Sequence, residues 1–182
     1  MTIVRISGYK PRHEEHKATN LSEGVRQRLF LLTHKYCVIP GIDWSGKFDA
    51  EKFQKWISSV LTWAEKTDRL EVTQHTIGSG LSYAKTEDGL PNDIIMTELN
   101  KPQNKEMRVG YQLGIQNQRG VHWVDPEGKP ELALAEKYND YAKIAEGRGY
   151  SRFAETLESI GKSYLCEAER IRQQEAYYKS EE

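Results

Sequence analysis

The run from Pro130 to Ile171, PELALAEKYNDYAKIAEGRGYSRFAETLESIGKSYLCEAERI, decides the fold. Pro130 suits a first helical turn, where its missing N–H costs nothing. Leu132, Ala135, Tyr138, Ala142 and Ala145 then recur on one helical face, and Gly147 and Gly149 stop the helix. Ser151 is a candidate N-cap for a second helix carried by Phe153, Leu157, Ile160, Tyr164, Ala168 and Ile171. Spacing of about 3.5 suits antiparallel pairing, so the chain is expected to end in an antiparallel helix hairpin from about Pro130 to Gln173. Beyond Gln173 the sequence is polar, and fraying is expected.

Working toward the N-terminus, Asp125-Pro126-Glu127-Gly128 has turn composition. A helix is expected from Lys105 to about Gln116, with Gly110 and Gly114 four apart as a bare strip for a close neighbour. Pro91 suits the first turn of a short helix through Asn100. Residues 70–84 are ambiguous: Leu70, Val72, Ile77, Leu81 and Tyr83 fit a helix, while Thr73, Thr76, Gly78 and Gly80 weaken it. The strongest helix follows Asp49 as N-cap and buries Phe53, Trp56, Ile57, Val60, Leu61 and Ala64. Trp63 is offset from that stripe. An earlier helix is expected from Leu21, with Val25, Leu29, Leu32 and Tyr36 on one face, Asn20 as its cap and Pro40-Gly41 as its end.

These segments predict an all-α protein: one domain of about five to seven helices over 21–178, a short arm over 1–20 and a polar tail over 179–182. The arm holds a strand-like run, Thr2 to Ile6, and the polar stretch His13 to Lys17. At 182 residues the chain is long enough to bury a core without a metal or disulfide. Lys plus Arg total 26 against 27 Asp plus Glu, a net charge of -1, so the basic excess of a free-standing nucleic-acid binder is missing. No apolar run reaches the length of a membrane span, and the first twenty residues lack a signal-like apolar core. A cytoplasmic, non-membrane protein is expected. Cys37 and Cys166 sit among apolar neighbours in helix-like segments, which predicts two buried thiols. Spacing alone leaves a disulfide open, although nothing places the chain in an oxidising compartment.

The densest polar chemistry lies in Gly114 to Trp123, GIQNQRGVHW. A structural reading makes Asn117 to Gly120 a turn, with Arg119 bridging helix-end carbonyls or a carboxylate and Trp123 plugging the turn onto the core. The functional reading makes Asn117, Arg119, His122 and Trp123 a partner-binding surface, joined by Trp44 in the loop after Pro40-Gly41. There is no Gly-x-Ser-x-Gly elbow, no phosphate loop and no histidine partner for either cysteine. His13 and His16 lack a third ligand, and His34 and His75 read as surface or core-rim residues. No catalytic residue, metal or cofactor is therefore expected. A non-enzymatic interaction module ranks first. A nucleic-acid binder using Lys101, Lys105, Arg108 and Arg119 ranks second, and an enzyme third.

In order and spacing the chain resembles a helical domain at the C-terminal ends of large bacterial proteins that have no established activity. The resemblance rests on Ile39-Pro40-Gly41, Trp63-Ala64, Asp68 to Val72, Ile77-Gly78, Gly114 with Asn117-x-Arg119-Gly120, and Leu134 to Tyr138. It spans about Leu29 to Arg172. His122-Trp123 departs from it, since that family has small polar residues there. The resemblance implies an all-α fold and a small subunit, or detached end, of a larger bacterial assembly, with antiviral defence as a setting.

Overall fold

The computed structural model describes residues 22–25, 27, 39–43, 47–84, 86, 88–120 and 124–181. The expected arm over 1–20, most of the helix expected from Leu21, His13, His16, His34, Cys37, Trp44, His122 and Trp123 lie outside them. Internal contacts divide the chain into Met1–Val38 and Ile39–Glu182. In the first unit, the stretch 23–25 is helical and exposed. The second unit is all-α. Among the described residues it has α1 (Ala50–Lys66), α2 (Leu70–Leu81), α3 (Asp93–Asn100), a 3-10 turn (Pro102–Asn104), α4 (Lys105–Gln118), α5 (Lys129–Gly147) and α6 (Ser151–Glu181).

Asp49 caps α1 as its sequence predicts: Oδ1 accepts the Lys52 N–H at 3.0 Å. Phe53, Ile57 and Ala64 are buried, while Trp56, Val60 and Leu61 pack half-buried against the core. Trp63, offset from that stripe, is 54% exposed.

The ambiguous segment is helix α2, and its glycines explain why poor propensity is tolerated. A Cβ on Gly78 would overlap the Met107 carbonyl, and one on Gly110 would overlap the His75 carbonyl. A Cβ on Gly114 would likewise crowd the Ser82 hydroxyl and the Ser79 carbonyl. His75 meets Gly110 and Ser79 meets Gly114, so α2 and α4 run parallel with their backbones in contact. Side chains of any size would hold them apart. Small residues here serve packing, as in other close helix pairs. Gly80, by contrast, meets nothing.

Asn92 caps α3, accepting from Ile94 and Ile95 N–H at 3.1 and 3.0 Å. The other end of α3 is tied down by Arg108, whose Nη1 donates to the Leu99 and Lys101 carbonyls, both at 2.8 Å. Asn100 reaches across to α6, where its Oδ1 accepts the N–H groups of Arg152 and Phe153 at 2.9 and 3.3 Å. Ser151, the sequence's candidate cap, is instead the first residue of the helix. Buried Asn104 donates to the Glu98 carbonyl at 2.8 Å and accepts from Gln74 at 3.2 Å, satisfying three polar residues at once.

α5 and α6 are joined by three residues and lie along one another. Gly128 touches Ala168, and Gly161 touches Ala135 and Asn139. Numbers rising on α5 meet numbers falling on α6. Tyr138 and Tyr164 stack across the pair, centroids 5.8 Å apart. Phe153 and Tyr111 then join α6 to α4 edge-to-face at 5.2 Å.

Three further expectations are corrected. Leu132 is only half-buried, and its place in the α5 stripe is taken by the fully buried Glu131. At 100° per residue, position 131 falls between 135 and 138, whereas 132 drifts to the edge. Cys166 is exposed, because it lies two residues past Tyr164, on the opposite side of α6 from the buried Tyr164 and Ala168. Nor does α6 fray at Gln173: it continues to Glu181, supported by the Lys179–Glu175 pair at 3.3 Å and by Gln174 donating to the Tyr178 hydroxyl at 3.3 Å.

Candidate functional site

Arg119 ends α4 in helical geometry, with φ -66°, and Gly120 then turns the chain in left-handed conformation at φ 60°. The Gly120 N–H donates to the Asn117 carbonyl at 3.3 Å. Asn117 thus supplies a turn acceptor from its backbone and leaves its side chain at the surface.

The Arg119 side chain folds back between α5 and α6. Nη1 donates to Glu167 Oε2 at 3.1 Å, and Nη2 donates to Glu131 Oε1 in a very short contact. The guanidinium also covers the Tyr164 ring, 5.6 Å from its centroid. Its side chain is 14% exposed, while the Glu131 side chain is fully buried. Glu131 lies in the first turn of α5, where the positive end of the helix dipole adds to the pairing. Burial pushes the Tyr164 phenol above its usual range; Arg119 opposes that shift and Glu167 adds to it.

Above this node lies an open cleft of about 430 Å³ between the end of α4 and α6. Gln116 and Gly120 line one side, Ser163, Cys166 and Arg170 the other, and Arg119, Tyr164 and Glu167 its base. Hydrogen-bond donors, a thiol and the Glu167 carboxylate line it, the last already paired with Arg119. The one described imidazole, His75, meets α4 at Gly110, nine residues before Arg119 and roughly 13 Å away along the helix.

Of the residues singled out in the sequence, Arg119 and the Asn117 backbone come together at this turn. Arg119 takes the structural role foreseen for it, a bridge to carboxylates. The sequence reading missed Glu131 and Glu167. Glu131 was findable, as a carboxylate at the centre of a stripe otherwise made of Ala and Tyr. Glu167, 48 positions from Arg119, carried no local signal.

The basic set Lys101, Lys105, Arg108 and Arg119 does not form one surface. Lys101 pairs with Glu98, and Arg119 lies eleven residues beyond Arg108, about 16 Å along α4, with its charge met by carboxylates. Among the described residues no three His, Cys, Asp or Glu side chains cluster as metal ligands, and no helix is long and apolar enough to cross a membrane. Comparison with protein-family models, with curated proteins and with solved structures returns no match for this chain.

Proposed function

We propose that this chain is a non-enzymatic interaction module, an accessory subunit that seats a segment of a protein partner in the α4–α6 cleft. The observation that carries this reading is the state of the cleft's base. Arg119 is answered from within by Glu131 and Glu167, so the cleft needs no ligand to fold, while the walls offer Gln116, Ser163 and Arg170 from regular helices. The resemblance to helical ends of large bacterial proteins supports a role in a larger cytoplasmic assembly, with antiviral defence as its setting. Val121 to Trp123 follow directly after the cleft in sequence, so His122 and Trp123 remain part of the proposed contact surface, with Trp44.

Cys166 lines the cleft and is exposed, which makes it the natural attachment point for a photo-crosslinker. The labelled, tagged protein is returned to its native host extract, nuclease-treated, irradiated and purified. A single stoichiometric adduct that disappears in Cys166→Ser and weakens in Arg170→Glu is the expected result. Partners retained equally by both variants would place the contact elsewhere and refute the cleft.

A further inference from the structure

The corner where α3 ends and α4 and α6 begin gathers cations that, among the described residues, have no carboxylate in ion-pair contact. Arg108 Nη1 is fixed by the Leu99 and Lys101 carbonyls, so its guanidinium is held in one orientation with its remaining N–H groups unused by any described partner. Arg152 lies in the first turn of α6 beside the same segment, since its backbone N–H is capped by Asn100, the residue between those two carbonyls. Its exposed side chain makes no ion pair among the described residues. Lys105 is exposed one turn before Arg108, on the same side of α4.

The neighbouring cations differ. Lys101 is paired with buried Glu98, and Arg148 lies 3.9 and 3.7 Å from Asp88 and Asp93. Glu155 is the carboxylate that acts on Arg108, and it is not within ion-pair distance of either arginine. Among the described residues none of Lys105, Arg108 and Arg152 is ion-paired with a carboxylate, in contrast to Lys101 and Arg148. Partial burial, with the nearby Arg152 charge added, holds Arg108 below its ordinary range, against the opposing effect of Glu155. An anion between the two guanidinia would relieve that repulsion.

We propose that this corner binds the phosphate group of a small ligand, held by Arg108 and Arg152 with Lys105 at its edge. Two planar guanidinium forks suit the tetrahedral oxyanion. Because Asn100 already occupies the first α6 N–H groups, the side chains do the holding. A small ligand fits better than a nucleic-acid backbone, since the basic surface ends here: Lys101 and Arg119, which would extend it, are both neutralised.

The test is titration of the whole protein with sodium phosphate at constant ionic strength, followed by NMR of the arginine Nε–Hε signals. Saturable shifts at Arg108 and Arg152, with a midpoint on the order of millimolar, are expected. Arg152→Gln removes an exposed, unpaired side chain and leaves the fold intact. It should weaken binding about tenfold or more, and Lys105→Gln by less. Absent or non-saturating shifts, or an unchanged midpoint in Arg152→Gln, would overturn the site. An oligonucleotide that binds far below the phosphate midpoint, with steep salt dependence, would overturn the small-ligand assignment.

Discussion

Gly78 and Gly80 sit two residues apart on α2, and replacing each with alanine should move stability in opposite directions. Alanine is intrinsically better than glycine in a helix by about 1 kcal/mol. At Gly78 that gain meets the Met107 carbonyl, a backbone atom in a regular helix that no rotamer change can move aside. The α2–α4 pair must then separate, lifting Gly110 and Gly114 from the His75 and Ser79 carbonyls. Overpacking of this kind costs about 1–3 kcal/mol. With backbone on both sides the upper figure applies, leaving Gly78→Ala about 2 kcal/mol less stable than the parent. A Cβ at Gly80 meets nothing within 4 Å, so only the propensity term acts. Near the helix end Gly80→Ala should stabilise by about 0.5 kcal/mol. The assay is urea unfolding followed by circular dichroism. With a slope of about 2 kcal/mol/M, the midpoint falls by about 1 M for Gly78→Ala and rises by about 0.25 M for Gly80→Ala. A Gly78→Ala protein as stable as the parent would refute the backbone contact on which this account of α2 and α4 depends.

Arg119→Ala removes the guanidinium paired with a fully buried carboxylate, Glu131, and should destabilise by about 3–5 kcal/mol. Adding Glu131→Leu should recover most of the loss in thermal melts; a single variant costing under about 1 kcal/mol would make the node peripheral. Asn100→Ala removes the cap of α6 and should cost about 1 kcal/mol, with faster amide exchange confined to the first turn of that helix. Uniform exchange along α6 would contradict that assignment. Burial raises the phenols of Tyr111, Tyr138 and Tyr164 above their ordinary value. A raised folded pKa means that their contribution to stability is complete below the unfolded value near 10 and is lost as pH climbs past it. Absorbance titration of the folded protein should therefore show Tyr111 and Tyr138 ionising only with alkaline unfolding and Tyr164 later than an exposed phenol, and titration of all three in the native state near pH 10 would disprove their burial.

The sequence by itself determined the local elements and which faces turn inward. Asp49 caps α1 because its carboxylate reaches the Lys52 N–H three residues on, and Phe153 to Ile171 form a buried seam because their spacing follows the helical period. Those are short-range facts, and periodicity records them. Gly110 and Gly114 announced a close neighbour in the same way, without naming it. That the neighbour is α2, running parallel, was decided by tertiary structure, as was the helical state of α2. Its weak propensity is overcome by contacts to residues some thirty positions away. The candidate site divides along the same line. Turn chemistry at Asn117, Arg119 and Gly120 was legible, since it depends on adjacent residues. The pairing of Arg119 with Glu131 and Glu167 was not, because a charged residue at a core position is recognised only when its counter-ion comes into view. Cys166 shows the converse: apolar neighbours in sequence predicted burial, and 100° of rotation per residue placed it on the solvent side. Short-range order comes from backbone geometry and side-chain period, both written residue by residue. Long-range pairing depends on which surfaces meet after the chain folds, and only the assembled helices settle that.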